Sequence, residues 1–268
     1  MNHLHRELAP VTDEAWAQID EEASRSLKQY LAARRLVDFE GPLGWKHSSV
    51  DLGRVENLAV AQMDSVERAR RQVLPLIEFR VPFSLARREL EAAARGATDV
   101  DLSAVIASSR SASLAEDGAI FHGFEDGYIA GIATSSPHEP LSVDDNYARY
   151  PEHAAKAVAV LRAADIAGPY AIALGARSFT GVTETTERGG YPVLEHLREI
   201  LGGAVVWAPA VDGAVIMSQR GGDYKMTVGQ DLSVGYFGSD AVSVQFYIEE
   251  SLTFQINTPE AAVQFIHQ

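Results

Sequence analysis

Between Gly41 and Pro75 the chain mixes a weak strand-like alternation, at Val50, Leu52 and Val55, with charge at Lys46, Asp51, Arg54, Glu56, Asp64, Glu67, Arg68, Arg70 and Arg71. A turn at Gly41 to Trp45 (GPLGW) opens the segment. So polar a stretch has no face from which to build a core, and it reads as an extended arm. Unless such an arm pairs with another chain, its free backbone edges are a liability. The rest of the sequence must therefore fold without it.

Upstream, Trp16, Ile19, Ala23, Leu27, Tyr30 and Leu31 recur at three- and four-residue steps and predict a long amphipathic helix from Thr12. Asp13 and Glu14 in its first turn, and Arg34 and Arg35 in its last, follow the order that the helix dipole favours. Downstream, the apolar run Leu74 to Phe83 predicts a strand, followed by a short helix from Ser84 as its cap to Gly96. A second long helix is expected from Asp99 or Asp101 to Gly123, polar in its middle at Ser108 to Ser113. The Pro-, Ser- and Asp-rich segment Ser135 to Pro151 marks a boundary. Beyond it, helices at Pro151 to Ala164, Ala176 to Thr185 and Val193 to Leu201 alternate with strands at Pro169 to Leu174, Val205 to Trp207 and Ala214 to Ser218, a small α/β unit. Past Gly222 the pattern is strand-dominated, with Val242, Val244, Phe246, Ile248, Leu252, Phe254 and Ile256 predicting half-buried strands.

At 268 residues there is length for one large domain or two smaller ones. With no cysteine, disulfides, thiolate metal sites and a cysteine nucleophile are all excluded, as suits a reducing cytosol. A net charge of -14 argues against a nucleic-acid partner, which needs a basic face. Met1 to Pro10 holds no apolar run of signal-peptide length, and no apolar stretch is long enough to span a membrane.

A catalytic constellation is hard to find. The G-x-S-x-G elbow is absent, and the nearest string, Gly175 to Gly181 around Ser178, has the wrong spacing. Gly41 to Lys46 is no P-loop, since no Ser or Thr follows Lys46. Gly123, Gly127 and Gly131 lack a dinucleotide-binding context and suggest close backbone packing. His3 and His5 make a poor metal pair, and Glu195-His196 lacks the H-E-x-x-H frame. Glu116, Asp117 and His122 are the best acid-base candidates; against that stands a buried carboxylate tying helix to loop, because five residues is a poor spacing for one helix face. No catalytic residue, metal or cofactor is assigned.

Several strings, in order, resemble the encapsulin shell family in its classical or family 1 branch: LAPVTDEAW (Leu8 to Trp16), RRLVDFEGPLGW (Arg34 to Trp45), RVPFSLARRELE (Arg80 to Glu91), EDGAIFHG (Glu116 to Gly123), RGGDYKMTVGQDLSVGY (Arg220 to Tyr236) and ESLTF (Glu250 to Phe254). None is specific alone; their order and spacing are. The resemblance implies an α+β fold of the Hong Kong 97 phage-capsid type. Its parts would be an N-terminal helix and the start of a peripheral domain over 1–40, an extended loop over 41–75, the peripheral domain with its spine helix over 76–134, an axial domain over 135–221 and C-terminal peripheral strands over 222–268.

The resemblance also implies a non-enzymatic shell subunit that closes with itself into a cytoplasmic icosahedral cage of roughly sixty copies. The expected cargo is a ferritin-like iron-storage protein or a dye-decolourising peroxidase, captured by its C-terminal targeting peptide. Carried onto this sequence, the peptide groove comprises Leu27, Tyr30, Leu31, Arg34 and Asp38, with Leu232, Val234 and Tyr236 opposite. The loop Thr186, Glu187, Arg188, Gly189, Gly190 and Tyr191 matches the family's fivefold pore loop, through which small ions would pass. No Trp stands near Arg87 and Arg88, where some relatives bind flavin, so no flavin is expected. Two other readings remain open at this point: a prophage major capsid protein of the same fold, and a stand-alone hydrolase using Glu116, Asp117 and His122.

Overall fold

The computed structural model describes residues 3–58, 67–187 and 189–267. The chain opens with α1 (Asp13–Tyr30), whose N-cap Thr12 accepts the Ala15 N–H at 3.4 Å. Its apolar stripe buries Trp16, Ile19 and Ala23. The helix stops four residues before the expected Arg34, with Leu31 already extended. The reason is tertiary: the N–H groups of Ala32 and Ala33 both donate to the carboxylate of Asp117, at 2.9 Å each, which draws the chain into a tight turn at Ala33–Arg35.

After β1 (Asp38–Glu40), the arm is a two-stranded antiparallel ribbon of β2 (Ser49–Leu58) and β3 (Arg68–Pro75). Val55, Leu58 and Val73 are exposed along it, as expected for an arm without a core of its own. The ribbon's return strand is followed by β4 (Ile77–Ala86) and then α2 (Arg87–Ala94). Ser84 therefore caps no helix; it is a strand residue paired with Gln245, because β4 continues along its partner as far as Ala86.

Next come α3 (Ser103–His122), β5 (Gly123–Phe124), β6 (Ile129–Ala130), α4 (Ile132–Ser135) and β7 (Leu141–Val143). The glycines around this turn do serve close packing. A Cβ on Gly131 would come within 2.3 Å of the Gly123 nitrogen and of the His122 carbonyl carbon, both rigid backbone. Gly131→Ala is expected to cost about 3 kcal/mol or more through forced backbone movement, measured as a lower thermal unfolding midpoint. The chain then forms α5 (Tyr150–Ala163), β8 (Tyr170–Leu174), α6 (Ala176–Glu184), α7 (Val193–Leu201), β9 (Gly202–Trp207), β10 (Ala214–Ser218), β11 (Tyr224–Val228), β12 (Ser233–Ser239), β13 (Ser243–Ile256) and β14 (Ala262–His267).

Two five-stranded sheets result. In the first, β13 is central: β12 and β11 lie along one side of it, β4 along the other, and β1 adds in parallel to β11. The expected strands at 242–256 are thus one 14-residue strand, buried on both faces from Phe246 to Phe254 rather than alternately. The second sheet runs β7-β14-β10-β8-β9. β14 thus leaves the C-terminal strands with which it was expected to group and pairs with β10 and β7, placing Val263 and Phe265 in the second sheet's core. That core also holds Tyr150, Leu161, Ile172, Leu174, Leu197 and Ile216; a separate one gathers Trp16, Ile19, Phe83, Leu85, Val234 and Phe246 under α1 and α2.

Candidate functional site

α1 and the strand pair β12–β13 do not close completely on each other. Between them lies a cavity of about 340 Å³ with an apolar floor of Ala23, Leu27, Leu31, Leu232, Val234 and Ile248 and a polar rim that includes Asp20, Lys28, Arg34 and Asp231. Such a shape suits an extended peptide whose aliphatic side chains enter small pockets. Five of the eight residues expected at the peptide groove line this cavity: Leu27, Leu31, Arg34, Leu232 and Val234.

The other three are elsewhere. The Tyr30 ring lies 5.6 Å from that of Trp207, with the Arg110 guanidinium 5.5 Å from its face, so it points toward α3 and β9. Asp38 is exposed on β1, and its carboxylate accepts the Gly222 N–H at 2.6 Å. Tyr236 lies further along β12, edge-on to Phe246, its hydroxyl donating to Ser239 Oγ at 3.2 Å. Among the lining residues that sequence reasoning missed are Asp231, Ile248 and Leu4. Leu4 stands in HLHRELAP, where no periodicity announces an apolar contact.

Arg34 anchors one end of the groove. Its guanidinium donates to both oxygens of Glu116 at 2.7–3.0 Å, to Asp231 Oδ1 at 2.8 Å, and to Glu250 Oε1. Burial pulls the guanidinium's proton affinity down, but these three carboxylates outweigh it and hold the group charged. One cation faces three acids, two of them fully buried. Burial first, and then the neighbouring Glu116, raise the Glu250 carboxyl well above the usual carboxylate range. Arg34 therefore has most of its donors committed within the protein. Its contribution to the groove is to position Asp231, whose side chain is 42% exposed at the rim.

The acid-base trio is not assembled. His122 Nε2 lies 2.9 Å from the Ala210 carbonyl oxygen, while Asp117 is fully buried against the turn after α1. These are ties between segments, and the hydrolase reading loses its geometry. Burial, reinforced by Glu116, pushes the Asp117 carboxyl up to about 7, against the backbone N–H donors and Arg34 that lower it. Because this folded value lies above the unfolded 3.8, protonation favours the fold: the contribution is complete below about pH 4 and lost as pH rises to about 7. Asp117→Asn, which carries no titrating proton, is expected to keep its particles and to show a shallower fall in thermal stability between pH 4.5 and 7.5.

Ser178 Oγ lies 3.0 Å from His267 Nε2, with Asp145 4.0 Å beyond on the other ring nitrogen. The order is that of a nucleophilic triad, yet Ser178 is fully buried and its Oγ accepts a hydrogen bond from the Tyr150 hydroxyl at 2.9 Å. The network joins α5, α6 and β14.

The second expected site is the loop between α6 and α7. Thr186 bridges Pro192, Glu187 N–H donates to the Tyr191 carbonyl at 2.8 Å, and Gly190 N–H to the Glu187 carbonyl at 3.0 Å. Gly189 and Gly190 both hold positive φ, 109° and 83°, which only glycine adopts without strain. Glu187 Oε1 lies 2.9 Å from His196 Nδ1, and the Tyr191 hydroxyl donates to Glu199 at 2.7 Å. The loop is thus a braced hairpin with Tyr191 exposed; Arg188 lies outside the described residues.

A family profile described as "Encapsulating protein for peroxidase" matches residues 1–253. A type 1 encapsulin shell protein of Rhodospirillum rubrum is 50% identical over 268 residues, covering 98% of this chain and 96% of its own. One from Mycobacterium tuberculosis is 38% identical over 267 residues and the full length of both chains. Among solved structures, a virus-like particle from Pyrococcus furiosus superposes with a TM-score of 0.65 at 17% identity, covering 92% of this chain and 98% of that one. A capsid chain of Mycobacterium phage Bobi does so at 0.54 and 12% identity, covering 91% and 90%. At such identities the likeness concerns the fold, which is that of the Hong Kong 97 phage capsid.

Proposed function

This chain belongs to the encapsulin shell family, whose members build capsid-like cages, and on that premise we propose that its copies enclose a cargo enzyme by holding the enzyme's C-terminal tail in the groove between α1 and β12. The observation that carries the proposal is the apolar cavity at Leu27, Leu31, Leu232 and Val234, open on one side and flanked by the Arg34–Asp231 pair. Burying an aliphatic side chain is worth about 1.5–3 kcal/mol, so two or three anchors supply roughly 3–9 kcal/mol before the cost of association and of ordering the tail, and a single tail binds weakly. Many such tails inside one shell then retain cargo by avidity.

A peroxidase is the favoured cargo, from the description of the matching family, with a ferritin-like iron-storage protein as the second. The hairpin at residues 186–191 is proposed to line the pores at the fivefold axes of a shell of roughly sixty subunits. The division into an arm over 41–75, an axial domain over 135–221 and a peripheral remainder is retained as part of the proposal, with β14 moved to the axial sheet because of its pairing with β10. A cytoplasmic location is proposed with it; among the described residues no helix is long and apolar enough to cross a membrane.

The test is co-expression with a fluorescent reporter that carries an aliphatic tail or the same tail with its aliphatic residues changed to Asp. Only the first is expected to co-purify with megadalton particles. Equal recovery of both would remove the groove from the reading.

A further inference from the structure

The chain ahead of α1 wraps the free edge of β12, beside the groove. At that edge the Tyr236 N–H lacks a partner strand and donates instead to the Leu4 carbonyl at 2.9 Å. On one face of the sheet, His3 stacks on Trp45 with ring centroids 4.1 Å apart, and its Nε2 lies 2.9 Å from Glu249 Oε1. The Tyr247 hydroxyl donates to the His3 carbonyl at 3.3 Å, and the buried Glu249 is also held by Arg80 at 2.7 Å. On the other face, Arg6 is bidentate to Asp20 of α1, at 2.6 and 3.1 Å, with its guanidinium 3.9 Å above the Trp16 ring. Two latches, one on each face, thus hold a segment only a few residues long. Between them Leu4 is 7% exposed and forms part of the cavity lining with Leu27, Val234 and Ile248.

We infer that residues 3–8 are a strap that completes the peptide groove, with Leu4 as a binding residue and the His3 latch setting how firmly that wall stands. The inference rests on the reading of the cavity as a tail-binding groove. A side chain on a short segment offers a preformed contact only if its backbone is held; released, the strap must be ordered when the tail binds, at a cost in affinity. The latch lies outside the cavity, since Trp45, Glu249 and Tyr247, the described residues that hold His3, do not line it. Removing it therefore changes the wall's order without changing the cavity's chemistry.

The experiment uses assembled shells co-expressed with the aliphatic-tailed reporter, read as reporter per particle, with amide exchange at Tyr236 followed in empty shells. Leu4→Asp is expected to lower loading at least tenfold. His3→Ala is expected to lower it about three- to fivefold and to speed exchange of the Tyr236 amide, whose acceptor is the strap. Parental loading in both variants, while Leu27→Asp empties the shell, overturns the strap and leaves the groove standing. Parental loading in Leu27→Asp overturns the groove reading and the strap's role with it. If Leu4→Asp gives no particles, His3→Ala decides: unchanged Tyr236 exchange and unchanged loading reject the latch.

Discussion

Leu27→Asp is expected to leave closed particles and to reduce their cargo at least about a hundredfold. Leu27 is half-buried on α1 and lines the cavity beside Leu31, Leu232 and Val234. The change removes an aliphatic contact worth about 1.5–3 kcal/mol and forces a carboxylate into the path of an apolar tail, a further 1–3 kcal/mol. The rim carries both signs, Asp20 and Asp231 beside Lys28 and Arg34, so the penalty is the desolvation of the new carboxylate when an apolar tail covers it. A total of about 3 kcal/mol corresponds to a hundredfold. The fold should tolerate it, because the α1 residues that are buried are Ala15, Trp16, Ile19, Ala23 and Ser26, and residue 27 is only half-buried at the cavity. Tyr30→Ala is the matched control: its ring packs on Trp207 away from the cavity, and loading is expected to stay within about threefold of the parent. Reporter fluorescence per particle after size exclusion measures both.

Arg34→Met should be the most damaging change to the subunit itself. Glu116 and Glu250 are buried to 0 and 1% exposure, and Arg34 is the cation that holds them. Removing one partner of a buried ionic network costs roughly 3–5 kcal/mol, because the remaining charge is neither solvated nor compensated. Arg34→Lys is expected to recover only part of this, since a single ammonium cannot reproduce a planar fork that reaches Glu116, Glu250 and Asp231 together. The deficit should depend on pH with a definite sign. Glu250 already has a raised folded value, and loss of Arg34 removes the charge that lowers it, so the variant gains stability as pH falls and loses it as pH rises. Thermal unfolding at pH 5 and pH 8 reads this directly: the gap from the parent is expected to be smaller at pH 5. A gap that is equal or larger at pH 5 would mean that Arg34 does not neutralise these acids.

Where local pattern and tertiary demand agree, the sequence is readable. α1 is announced by apolar periodicity, and the arm by its absence. Two misread boundaries have tertiary causes. α1 ends at Tyr30 because Asp117, more than eighty residues away, takes the next two N–H groups. Ser84, a good helix cap on local grounds, is a strand residue because β13 extends far enough to pair with it. The polar middle of α3, with Ser108, Ser109 and Ser113 buried, is partly explained: the Ser113 hydroxyl donates to the Ser109 carbonyl within the helix, which removes one desolvated donor. The resemblance names five residues of the cavity lining and misses the rest. The cavity's walls come from α1, the residues ahead of it and strands some two hundred positions later, so no local window contains the contact among Leu4, Leu27 and Leu232. Asp38 is placed with the groove by the resemblance alone; the turn at Ala33–Arg35 takes it to β1, where it accepts the Gly222 N–H.

The central claim, a cage whose inner wall holds a cargo tail between α1 and β12, is most directly tested by cryo-electron microscopy of particles co-expressed with the aliphatic-tailed reporter. The expected image is a closed icosahedral shell, with the cavity at Leu27, Leu31, Leu232 and Val234 facing the lumen and extra density lying in it, absent from shells made without the tail. A shell in which that cavity faces outward or is sealed between subunits, or in which the tail's density lies elsewhere on the wall, would contradict it.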